Sequence, residues 1–134
     1  MTTKYTLIII AGLLFCLFSC KKDGNPTAIV GKWSIDKIVY YEARDTTIAG
    51  LATDYYNFSS DGNLTIQDHQ ESYNGIYSLK GTKSVGITIQ TIDGHGTGVA
   101  TSPAVFTISN LTDYGVTLTS PPSPSGQEVV FLQR

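Results

Sequence analysis

From residue 30 onward the chain reads as short runs of alternating apolar and polar residues, separated by clusters of Gly, Asn, Asp and Pro. No stretch there holds a 3.6-residue apolar period for three turns, so the pattern predicts strands and no helix. The first run, residues 30–41, opens Gly31-Lys32-Trp33 and sets Trp33 and Ile35 on one face. Ile38-Val39-Tyr40-Tyr41 then breaks that alternation, and a β-bulge near Asp36-Lys37 would account for the break. Tyr56 and Phe58, then Ser59-Ser60-Asp61-Gly62, then Leu64 and Ile66, predict a hairpin, because Asp-Gly between alternating runs suits a tight turn. Tyr73, Gly75, Tyr77 and Leu79 share a face opposite Asn74, Ser78 and Lys80, and Val85, Ile87 and Ile89 repeat the pattern. Ala104, Phe106 and Ile108 follow, then Val116 and Leu118, then a closing strand in residues 128–134, which makes eight strands.

The connections between these runs alternate in length. In an up-and-down order the odd-numbered ones (42–53, 69–72, 93–99 and 120–126) fall at one end and are mostly long. The even-numbered ones (59–62, 80–83 and 109–114) fall at the other and are mostly compact. An all-β, eight-stranded antiparallel up-and-down barrel, with loops around one mouth and tight turns closing the other, predicts this asymmetry. Closure also removes the exposed strand edges. A seven- or eight-stranded sandwich would alternate in the same way and stays open as an alternative.

Upstream of the strands the pattern is different. Lys4 precedes an uncharged run, residues 7–18, that ends in Leu17-Phe18-Ser19-Cys20. The run is too short for a membrane-spanning helix, which needs about 20 apolar residues, and suits the core of a signal peptide. A small residue before Cys20 and Leu17 at minus three resemble a bacterial lipobox. The resemblance implies removal of residues 1–19 and lipidation of Cys20; ordinary cleavage beside a free cysteine is the other reading. Cys16 is the only other cysteine, so residues 20–134 would have no disulfide. Residues 20–29 are polar and turn-rich, a lipidated tether, with one domain at 30–134. Lys21 after the cysteine gives no inner-membrane retention signal, so the expected location is the outer membrane, facing either side.

Composition narrows the partners. The formal net charge of −2 becomes about −3 once Lys4 is lost. A mildly acidic chain without basic clusters argues against nucleic acid. A monomer is expected.

Three short motifs point to a family. Gly31-Lys32-Trp33, Thr112-Asp113-Tyr114 and Arg134 resemble, in order and position, the motifs of lipocalins and of small lipocalin-like lipoproteins of Gram-negative bacteria. The resemblance implies that Gly31, Trp33, Thr112, Asp113, Tyr114 and Arg134 meet at the closed end, with the Arg over the indole. The chain departs from the family in lacking its C-terminal helix and its disulfide.

An eight-stranded barrel can be filled by its own side chains or can hold one small ligand. Trp33, Phe58, Leu64, Tyr77, Leu79, Val85, Ile108 and Val116 fall toward the closed end and are expected to be core. Tyr56, Ile66, Tyr73, Ile89, Phe106 and Leu118 fall toward the open mouth and form the candidate ligand wall, within a wider set of aromatics that includes Tyr40, Tyr41, Tyr55 and Tyr77. The expected function is binding of a small apolar ligand by an anchored lipoprotein. A solid barrel whose open-end loops bind protein or glycan is the alternative. His69 and His95, with Asp68, Glu71 and Asp93, fall in open-end connections and raise a third reading, a metal or acid–base rim. Their spacing matches no metal motif, and no nucleophile or phosphate-loop motif is present. No catalytic residue, metal or cofactor is therefore expected, and the protein is read as a non-enzyme.

Overall fold

The structure is a computed structural model and describes residues 26–42, 45–97 and 103–134. The expected signal segment, Cys20 and most of the expected tether lie outside the described residues. A 3-10 turn, Pro26–Ile29, leads into ten strands: β1 Gly31–Tyr41, β2 Thr46–Ala49, β3 Tyr55–Phe58, β4 Asn63–Asp68, β5 Glu71–Lys80, β6 Ser84–Ile92, β7 His95–Gly96, β8 Ala104–Ser109, β9 Gly115–Thr119 and β10 Gln127–Gln133. Eight of them, β1-β3-β4-β5-β6-β8-β9-β10, pair antiparallel with their neighbours, and β10 returns to β1 from Ser34↔Gln133 to Tyr41↔Gln127. The fold is a closed eight-stranded up-and-down β-barrel, and closure leaves no edge in the main ring.

The two extra strands lie within connections 42–53 and 93–99, which carry no alternating pattern. β2 pairs with the upper half of β1, on the same edge where β3 pairs with its lower half. The chain leaves that edge only at residues 50–54. There it crosses the β1 bulge, which lies between Ile35 and Lys37, and Gly50 N donates to Asp36 O at 2.9 Å. A Cβ at Gly50 would lie 1.9 Å from Ile35 O, so only glycine can make the crossing. β7 is a two-residue return onto β6. A second bulge leaves Gln90 unpaired, since Asn74 pairs with Thr91 and Gly75 with Ile89.

The core sits at the closed end. Trp33, Phe58, Leu64, Val85, Leu118 and Val130 are fully buried. Each such side chain contributes about 1.5–3 kcal/mol by leaving water. Tyr77 and Leu79 pack against this layer and are only partly buried. Ile29, the last residue of the expected tether, is 1% exposed and accepts a 2.7 Å hydrogen bond from Trp33 Nε1 through its carbonyl. Arg134 lies over the indole at 3.8 Å and donates to Val30 O at 2.6 Å. It also fills the space beside Gly31, whose φ of +124° and 2.9 Å approach to Arg134 exclude a side chain. Thr112 Oγ1 accepts from the N–H groups of Tyr114 and Gly115, and Tyr114 O accepts from Arg134 N, so Tyr114 and Arg134 meet at this end.

Candidate functional site

Above the core layer the inward rows of the strands do not meet, and they enclose a cavity of about 290 Å³. Period-two alternation places its walls. Leu64 and Ile66 on β4 lead up to Asp68, and Leu132 and Val130 on β10 lead up to Glu128. On β1 the bulge at Asp36 shifts the inward row from Trp33 and Ile35 onto Ile38 and Tyr40. Without that extra residue Lys37 and Val39 would point into the barrel. Ile66, Ile87, Ile89, Ala104 and Phe106 supply the apolar wall, and Tyr56 and Tyr73 stand beside it.

Of the six residues expected to line a ligand site, Tyr56, Ile66, Tyr73, Ile89 and Phe106 line this cavity. Leu118 does not, and here the expectation is corrected. It pairs with Val130 and Ile108, so it sits one layer lower, in the core, with no exposure. Tyr40, Ile87, Ala104, Asp68 and Glu128 are additional lining residues. Carrying the alternation to the strand ends finds both carboxylates, and combining it with the bulge finds Tyr40.

The polar groups of the cavity perturb one another. Burial pushes the Glu128 carboxyl above the ordinary carboxylate range, and the charge of Asp68 adds to the shift. Burial and then the charges of Glu128 and Asp68 raise Tyr40 and, far more strongly, Tyr56. Tyr73 is pushed up to about 12, first by its hydrogen bond to Glu71. The raised Glu128 has a consequence for stability. Between the ordinary glutamate value and its folded one, the folded protein holds a proton that the unfolded chain has released, so stability falls as pH rises through that interval. Glu128→Gln is expected to raise the urea midpoint at pH 7 and to have little effect at pH 4. Equal midpoints for variant and wild type at pH 7 would show that Glu128 carries no such penalty.

The rim residues have structural partners. Asp68 Oδ1 lies 2.6 Å from His69 Nδ1, and this hydrogen bond, ahead of the nearby charges, raises the His69 pKa. Asp54, 1% exposed, accepts from Leu51 N at 2.8 Å and from His69 N at 2.9 Å. Asp54, Asp68 and His69 each bring a ligand atom within 4.8 Å of the others, over a shallow depression at the β4–β5 turn. Both oxygens of Asp54 already hold backbone N–H groups, which makes this set a brace for two loops before anything else. Asp93, just after β6, accepts from Ser72 N on β5 at 2.8 Å, Glu71 accepts from Tyr73, and His95 is exposed on β7. None of these three belongs to the cluster of Asp54, Asp68 and His69.

No protein-family model matches the chain, and no curated protein matches it either. Among solved structures, the chain is similar to an uncharacterised protein from Bacteroides eggerthii. The two share 20% identity and a TM-score of 0.52, over 78% of this chain and 98% of the other. At that identity the likeness is one of fold.

Proposed function

We propose that the protein is a lipocalin-like lipoprotein, anchored in the outer membrane through Cys20, whose barrel binds a small molecule with an apolar body. The cavity carries the reading. Its volume of about 290 Å³ sits at the lower end of small-molecule sites, about 300–1,000 Å³, and apolar walls with a few polar groups at one end are their usual lining. A solid barrel would fill this space with side chains, and the described residues leave it open. The motif geometry at the closed end, with Arg134 over Trp33, fits the lipocalin-like reading.

Two experiments test the two halves. Native mass spectrometry of protein extracted from its own host in mild detergent should show a co-purifying small molecule. Phe106→Trp should exclude that molecule by filling the cavity, whereas Phe58→Ala should chiefly lower the melting temperature. Protein that carries nothing and binds no small apolar probe with saturation would overturn the binding function. For the anchor, Cys20→Ala should lose palmitate labelling and leave the membrane fraction, and a variant that still labels would overturn it.

A further inference from the structure

The polar groups of the cavity gather at its mouth and carry one sign. Asp68 and Glu128 stand there with Tyr40, Tyr56 and Tyr73, and among the described residues no Lys or Arg lines the space. Asp68 has His69 as a partner at 2.6 Å. Glu128 has none for its carboxylate among the described residues. Its backbone N–H is taken by Ser120 Oγ and its carbonyl by Ser120 N, and no hydrogen bond or ion pair reaches the side chain. The Tyr56 hydroxyl is likewise without a partner there, although the residue is only 8% exposed. No sealed side-chain polar atom lacks a partner among the described residues, so the Tyr56 oxygen opens onto the cavity. A half-desolvated carboxylate without a counter-charge is costly to leave unmatched, and the Tyr56 hydroxyl offers the cavity a hydrogen-bond partner.

Three kinds of occupant can be compared on charge alone. An anion would face two carboxylates and find no cation among the described residues. A neutral hydrocarbon would fill the apolar wall but bury Glu128 still further without a counter-charge. An organic cation meets every group. It donates a charge-assisted hydrogen bond to Glu128 and a further hydrogen bond to the Tyr56 hydroxyl. A bare metal ion is less well served, because Glu128 is not part of the set whose ligand atoms converge within 4.8 Å.

We propose that the ligand is a small amphiphilic amine, its apolar body against Ile66, Ile89 and Phe106 and its single ammonium group held by Glu128 beside Tyr40 and Tyr56. This rests on the ligand-binding function proposed above and adds the chemistry of the head group. A zwitterionic lipid headgroup fits less well, since its phosphate would approach the same two carboxylates. Asp68 is the lesser contributor, its charge already matched when His69 is protonated.

The test uses the full-length protein in mild detergent and calorimetric titration with water-soluble probes of near-equal shape: phenethylamine, phenethyl alcohol and phenylacetate. The amine is expected to bind at least about tenfold more tightly than the alcohol, with no saturable binding of phenylacetate. Glu128→Gln should remove the preference of amine over alcohol, and Asp68→Asn should reduce it less. Should the Gln variant fold poorly, the wild type read against pH replaces it. Amine affinity should then fall as pH drops through the raised Glu128 pKa, with alcohol affinity flat. The other titratable groups facing Glu128 are Asp68 on β4 and Tyr40, Tyr56 and Tyr73 on β1, β3 and β5, and the three tyrosines stay neutral over that range. Phosphoethanolamine should not compete, and competition by it would overturn the free-amine form in favour of a lipid headgroup. Equal binding of alcohol and amine would overturn the cationic head, and a preference that survives Glu128→Gln would overturn Glu128 as its holder, while either leaves the ligand-binding function intact. Saturable binding by none of the probes would overturn both.

Discussion

Trp33→Ala is expected to cost about 3–5 kcal/mol and to lower the melting temperature by roughly 10–20 °C, the largest loss of any single truncation in this core. Three separate contacts end on this side chain. The indole is fully buried in the lowest layer of the barrel. Its Nε1 donates to Ile29 O at 2.7 Å, which ties the entering chain to the barrel floor. Its face carries the Arg134 guanidinium at 3.8 Å, which ties down the last residue of the chain. The substitution therefore opens a cavity, orphans a carbonyl and frees both ends of the domain at once. Trp33→Phe separates these effects. It keeps most of the apolar volume and loses the hydrogen bond, at an expected cost of about 1–2 kcal/mol. Arg134→Ala should cost about 0.5–2 kcal/mol through the cation–π contact. Thermal unfolding followed by circular dichroism checks the series, and a Trp33→Ala protein melting within a few degrees of wild type would contradict the account.

The strand pattern was legible because a barrel wall has one dry face and one wet face, and every main strand records this with period two. Even the break at Ile38-Val39 carried its own explanation, since the bulge at Asp36 is what turns Tyr40 inward. Less legible was depth along the barrel axis. Leu118 and Phe106 both alternate inward, yet only cross-strand register puts Leu118 level with Val130 in the core and leaves Phe106 on the cavity wall. Sequence alone does not give that register, because it depends on the shear of the closed barrel. Asp68 and Glu128 were missed as cavity residues for another reason. A charge at the end of an alternating run reads as the start of a loop, although the alternation carried one step further puts it on the inward face. Short strands such as β2 carry no alternating signal, since its sequence is Thr-Thr-Ile-Ala and all four residues are exposed.

Asp54→Ala is expected to cost about 2–5 kcal/mol, through loss of a buried acceptor that joins two loops by two backbone hydrogen bonds. Nothing in the sequence hints at this role, because Asp54 directly follows the 42–53 connection and reads as ordinary surface. In the fold its backbone carbonyl accepts from Ile35 N at 3.0 Å, pinning residues 50–54 over the β1 bulge. Its carboxylate, 1% exposed, joins that crossover through Leu51 N to the β4–β5 turn through His69 N. His69 needs such a hold because it has a φ of +56°, a conformation that residues other than glycine adopt at a cost. Alanine would leave both N–H groups without their acceptor. Asp54→Asn keeps the volume but offers one oxygen to two donors and turns its amide toward the second, so it should cost nearly as much. Urea denaturation should show lowered midpoints for both variants. Hydrogen exchange should show faster exchange first at the Leu51 and His69 amides, before the barrel strands open. Asp68 is the neighbour of His69 and lines the cavity mouth, so releasing this turn should also weaken ligand binding more than loss of stability alone predicts. A variant that keeps its midpoint and the protection of both amides would show that the two loops hold their places without Asp54.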